Sequence, residues 1–133
     1  MEILIKRLTE QAKLPEYNRP ASPGIDLYSQ FEVPVEPGAK VAISTGVAVA
    51  IPVGYIGWVK DAQSMAIGHT VAVTAALVDS SYLDEVVVEV TNHSSETKVF
   101  APGETCAQLI VQKVHRPNVM EAEDLSPTTN GEV

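Results

Sequence analysis

The chain has 133 residues and a mass of 14.2 kDa, which suits a single domain with one site or one subunit's share of a site. Nine Lys and Arg against seventeen Asp and Glu leave a net charge of −8 and a pI near 4.7, which excludes a broad electrostatic grip on nucleic-acid phosphates. A small anion remains admissible at a local cluster of donors, because net charge governs steering and solubility rather than one pocket. Hydrophobic residues make up 45% and aromatics 5%, so the core is expected to consist of Val, Ile, Leu and Ala. The single cysteine, Cys106, permits no internal disulfide and reads as a buried thiol within the apolar stretch CAQLIV. The N-terminus MEILIKRLTE lacks a basic leader and no apolar run approaches the roughly 18 residues that span a bilayer, so a soluble, cytoplasmic protein without membrane contact is expected.

From the N-terminus onward, turn residues recur at short intervals: Pro20, Pro23 and Gly24, then Pro37 and Gly38, then Pro52 and Gly54, and later Pro102 and Gly103. Between them lie segments rich in β-branched residues, which predict strands over 2–7, 24–28, 39–44, 47–51, 57–60, 71–74, 85–92 and 107–113. Strands at this spacing predict an all-β sandwich, jelly roll or barrel. No segment sustains a period of 3.6 with a capping signal, so helix is limited to one turn near Asp61 to Ala66. Residues 1–117 form the expected domain, and 118–133 a tail that is mobile or docks on a neighbouring subunit.

Two carboxylates stand out. Asp79 in ALVDSSY follows an apolar run, where it either activates a water as general base or simply starts a turn. Asp26 in SPGIDLYS follows a Pro-Gly pair and either holds hydrated Mg²⁺ or bonds its own turn. His69, His93 and His115 have no ligand-spaced companions, so no zinc site is expected. There is no Walker loop and no Gly-x-Ser-x-Gly elbow. Trp58 in GYIGWV reads as packing or a subunit contact rather than a base-stacking platform. Only Arg7, Arg19 and Arg116 offer bidentate donors to an anion.

The order PASPGIDLYS, EPGAKVAISTGVAVAIPVGYIGWV, ALVDSSYLDEVVVEVTN and APGETCAQLIVQKV resembles the trimeric dUTPases, which cleave dUTP to dUMP and pyrophosphate. The resemblance implies a jelly-roll subunit, a homotrimer and three sites built where subunits meet. It implies that Asp79 activates water, that the Tyr82 ring packs on deoxyribose, that Asp26 holds Mg²⁺ through water, and that Gln108 lies near the phosphates. The departures concern the second motif, where Arg or Lys, Ser and Gly are replaced by Ala62, Gln63 and Ser64. A one-residue shift lets Ser64 supply the hydroxyl. Ala76 replaces a glycine of the hairpin, Leu83-Asp84 replace Arg-Gly, Ala21-Ser22-Pro23-Gly24 replace Gly-Asp-Ala-Gly, and Glu104-Thr105 replace an Asp and a basic residue. Asn130 stands at the arginine of the family's closing lid, and no lid is expected.

Phosphoryl chemistry depends on placed charge, so these losses predict a homotrimer with lost or strongly reduced dUTP hydrolysis. That trimer would act as a scaffold or assembly component, natural or redesigned, meeting a second protein through Trp58, Met65 and Leu83. The alternative is a divergent, active dUTP diphosphatase that uses Mg²⁺ and replaces the lost charge with Lys60 or Arg116. A related deaminase or nucleotide sensor on the same fold is a third reading.

Overall fold

The computed structural model describes residues 1–62 and 71–126. Ten strands form among them: β1 (Leu4–Arg7), β2 (Ile25–Tyr28), β3 (Val33–Val35), β4 (Lys40–Ala50), β5 (Tyr55–Lys60), β6 (Val71–Val73), β7 (Ala76–Val78), β8 (Glu85–Asn92), β9 (Lys98–Phe100) and β10 (Thr105–Lys113). They pair antiparallel into a sheet β1-β4-β8-β6, a sheet β2-β10-β5-β7 and a two-stranded sheet β3-β9. The fold is all-β, as the turn spacing predicts. Among the described residues no helix is long and apolar enough to cross a membrane. Most of the turn expected near Asp61 to Ala66 lies outside the described residues.

Alternation of side chains explains how β8 builds the core. Val86, Val88 and Val90 are buried while Val87 is exposed, the period of 2 that a strand with one covered face requires. Leu27, Val59 and Leu109 of the second sheet join Ile43, Val88 and Phe100 in one apolar cluster, so the core lies between the sheets. Cys106 belongs to that cluster, and burial pushes its thiol up to about 12, which leaves it protonated at neutral pH. Asn92 is the largest polar side chain that is wholly enclosed. Its amide donates to the carbonyls of Val35 and Glu96 at 2.9 and 2.8 Å, and its oxygen accepts from the Ser94 N–H and hydroxyl, so burial strands no polar atom.

Three strands depart from the expected set. β3, β7 and β9 have three residues each, too few to show alternation, and β3 finds its partner only across the chain, with Val33 opposite Phe100. The two strands expected over 39–44 and 47–51 are one, because β4 continues through a bulge between Ser44 and Ala48. Gly46 makes that continuation possible, with φ at +70° in a region that disfavours a Cβ. The Glu85 carboxylate fills the bulge, accepting the Gly46 N–H at 2.8 Å and the Ser44 hydroxyl. A Cβ on Gly46 would also stand 2.7 Å from Gln30 Oε1 and 2.8 Å from Ala12 Cβ. Gly46→Ala is therefore expected to destabilise the protein by about 2 kcal/mol or more, since the left-handed backbone alone costs about 1–2 kcal/mol. The midpoint of urea unfolding, measured beside the wild type at equal protein concentration, checks this.

Candidate active site

Gln108 pairs with Asp26 on one side and with Lys60 on the other, so β2, β10 and β5 carry these three residues in one row. Their neighbours Leu27, Leu109 and Val59 enter the core, which turns Asp26, Gln108 and Lys60 to the opposite face of the sheet. A bulge between Thr105 and Ala107 sets this phase, because without it Cys106 and Ala107 could not both be buried. The segment ahead of β2 covers part of the row. Asp26 donates its N–H to the Glu16 carbonyl at 2.8 Å, and Asp26 and Gln108 are only 5% and 8% exposed.

The buried Asp26 carboxylate keeps polar company. Its Oδ2 accepts from the Asn18 amide at 3.0 Å and from the Thr105 hydroxyl at 3.3 Å. Gln108 Nε2 donates to the Asp61 carbonyl at 3.0 Å, which ties the row to the chain leaving β5. Gly24 gives the amide its room, since a Cβ there would stand 2.8 Å from Gln108 Oε1 and 3.0 Å from the Leu109 carbonyl oxygen. Nearby, burial and then the charges of Glu16 and Asp26 push the Tyr28 hydroxyl up to about 12, while Lys13 Nζ lies 3.9 Å from the ring centroid.

Asp79 stands in a different place. Its Oδ1 accepts the Ser81 N–H at 2.9 Å and the Ser81 hydroxyl at 2.7 Å, and these bonds hold its carboxyl below the ordinary carboxylate range. Both bonds are those of a turn, so Asp79 does build one. Its Oδ2 has no hydrogen-bond partner among the described residues and remains open to water. Three residues on, Tyr82 donates its hydroxyl to the Glu85 carbonyl at 2.7 Å, which fixes the edge of a ring that is 36% exposed.

Asp26 with Gln108 and Asp79 with Tyr82 are thus two half-sites rather than one. Val78 pairs with Gly57, whereas Gln108 pairs with Lys60 at the other end of β5. At about 3.3 Å per residue, Asp79 lies roughly 10–13 Å along the strand from the row, beyond the sideways separation of the strands. One subunit does not unite them.

Ser64 and Met65, expected at the site and at an interface, lie outside the described residues. Ala62 is 1% exposed, so the position of the motif's cation is a buried methyl. Trp58 is half-buried beside Lys60, whose Nζ lies 5.8 Å from its ring centroid. Leu83 is exposed next to Leu4, Ala48 and Ala50. Among the described residues no three His, Cys, Asp or Glu side chains gather at a metal-binding distance. The groups that sequence reasoning missed are Asn18, whose contact depends on an isolated bridge, and Thr105, which reads as a lost basic residue yet donates to Asp26. Glu85 was also missed, since nothing local marks it as the filling of a distant bulge.

The dUTPase family model matches residues 10–133. The chain is 39% identical to the deoxyuridine 5'-triphosphate nucleotidohydrolase of Syntrophotalea carbinolica, covering 98% of this chain and 91% of that one. It is 35% identical to the rice enzyme of the same name, over 96% of this chain and 75% of that one, and 33% identical to that of Nautilia profundicola, over 98% and 94%. Among solved structures, the dUTPase of Staphylococcus aureus phage phi11 superposes with a TM-score of 0.87 at 22% identity, covering 96% of this chain and all of that one. These relatives overturn the expectation of a scaffold that has lost hydrolysis, because proteins this similar over nearly the full chain are named as nucleotidohydrolases. That expectation counted missing cations position by position, and it took no account of a lysine that sheet register sets beside Gln108. The chain belongs to the dUTPase family, whose activity is the hydrolysis of dUTP to dUMP and pyrophosphate.

Proposed function

We propose that this protein is a dUTP diphosphatase, hydrolysing dUTP to dUMP and pyrophosphate at sites shared between the subunits of a homotrimer. The observation that carries the reading is the division of the site within one chain. The Asp26–Gln108 row and the Asp79–Tyr82 hairpin lie at opposite ends of β5, so each needs the complementary half from a neighbour. In the assembled site Asp79 takes a proton from water as the water oxygen bonds to phosphorus of the α–β linkage. The bridging P–O bond breaks and pyrophosphate leaves. The lowered pKa of Asp79 keeps it anionic at neutral pH, the form a base requires.

Tyr82 contributes a surface rather than a proton. With its hydroxyl committed to Glu85, what it offers a nucleotide is its ring face, suited to packing on a deoxyribose and to crowding a 2'-hydroxyl. Gln108, held by Asp61, presents its carboxamide beside the phosphates. Mg²⁺ suits this donor set. The ion keeps several waters and is bound by one or two carboxylates together with substrate phosphates, so a lone buried Asp26 is an adequate protein ligand through water. When bound, the ion neutralises phosphate charge that develops during displacement. Residues His115 to Ser126 are exposed past the sheet, placed for contact with a neighbouring subunit.

Pyrophosphate release from dUTP with Mg²⁺, at micromolar protein and beside light scattering, tests the reading. A trimer that turns over dUTP in preference to UTP is expected, and Asp79→Asn is expected to lower kcat by about 10²- to 10⁴-fold while leaving the trimer intact. A clean trimer that releases no pyrophosphate refutes it. The pH profile gives a second check. A base with a lowered pKa stays active until pH falls through that value, so removing one of its two stabilising bonds with Ser81→Ala is expected to move the acid limb of kcat to higher pH.

A further inference from the structure

We infer that Lys60 is the residue of this chain that supplies positive charge to the nucleotide's phosphates. The inference rests on the dUTP reading of the site and names the cation that reading lacks. Lys60 is directly across from Gln108, and cross-strand partners stand with Cβ atoms about 4.5–5.5 Å apart on one face. Gln108 is in turn directly across from Asp26, so a lysine, a carboxamide and a carboxylate succeed one another in line. The bond from Gln108 Nε2 to the Asp61 carbonyl fastens the end of β5 to this row.

The surroundings leave the Lys60 charge available. Asp61, its neighbour in sequence, turns its carboxylate away to accept the Val73 N–H at 2.6 Å. Among the described residues the ion pairs are Lys40 with Glu89 and Lys98 with Glu104, and none involves Lys60. Lys60 Nζ rests 5.8 Å from the centroid of the Trp58 ring, a contact it can exchange for a phosphate without stranding a buried charge. Ala62 cannot do this work because it is a buried methyl. Arg116 follows the end of β10, where Lys113 pairs with Tyr55, and so lies toward the opposite end of β5. Lys13 reaches the same face, but it covers the Tyr28 ring, where Glu16 and Asp26 already surround it with negative charge.

The test titrates the non-hydrolysable analogue 2'-deoxyuridine 5'-(α,β-imido)triphosphate with Mg²⁺ into wild type, Lys60→Gln, Lys60→Arg and Lys40→Gln, each confirmed folded by thermal unfolding, and measures dUTP turnover in parallel. Lys60→Gln is expected to weaken analogue binding at least tenfold, to make it less sensitive to salt, and to lower kcat/KM on the order of 10²-fold. Lys60→Arg is expected to restore most of both, and Lys40→Gln, on the other sheet, to match wild type. Wild-type affinity and salt dependence in Lys60→Gln would overturn the inference, as would equal weakening in the Gln and Arg variants. Wild type that binds the analogue through Lys60 yet releases no pyrophosphate would remove the hydrolysis reading and leave Lys60 as a phosphate ligand. Turnover that is the same with and without Lys60 would do the reverse, and a wild type that binds no analogue would overturn both.

Discussion

The antiparallel register of β10 between β2 and β5 is the constraint on which the rest of the site depends. A slip of one residue in a strand sends every side chain to the other face, so Gln108 can face outward only while Leu109 faces the core. The bulge at the start of β10 absorbs the extra residue that would otherwise push Cys106 or Ala107 out of the core. The apolar cluster, which favours one register strongly, thereby sets the positions of Asp26, Gln108 and Lys60 as well. Burial on one face of the sheet aligns polar groups on the other.

A second bulge does comparable work for the Asp79 hairpin. Glu85 begins β8, and its carboxylate is bound into the turn of β4 around Gly46 while its backbone carbonyl receives the Tyr82 hydroxyl. The hairpin between β7 and β8 is thus tied at its C-terminal root to a strand 39 residues earlier in the chain. Gln30 extends the same network by donating to the Ser44 hydroxyl at 3.0 Å and accepting from Thr9. Networks of this kind are rigid only when every member is satisfied, and no buried side-chain nitrogen or oxygen among the described residues lacks a partner.

The two acidic residues with proposed roles are held in opposite environments, and the difference suits different tasks. Asp26 is nearly enclosed and receives two side-chain donors, an arrangement that fixes the carboxylate in place. Asp79 is exposed, and its anionic form is stabilised by the two groups of Ser81 on a single oxygen, leaving the other oxygen free for water. The chain's charge of −8 would repel a triphosphate at long range, so local arrangement of lysines and metal has to overcome it at the site.

Much of the molecule is legible in the residues alone. Alternating Val in 85–92 and the recurrent Pro-Gly turns establish an all-β domain, and the segments around Asp26, Asp79 and Gln108 establish the family, because strand period and turn chemistry are local properties. Three-residue strands such as β7 and β9 have no such local signature, and their existence depends on partners distant in sequence. The same limit applies to charge. Sequence position compares Ala62 with the motif's cation and finds a loss, whereas the tertiary structure buries Ala62 and sets Lys60 beside Gln108, a neighbour 48 residues away. The amino-acid sequence determined which groups are present and the local structure they form. Only the packed sheets decided which of them share a face, because that depends on register, and register is set by the burial of side chains far apart in the chain.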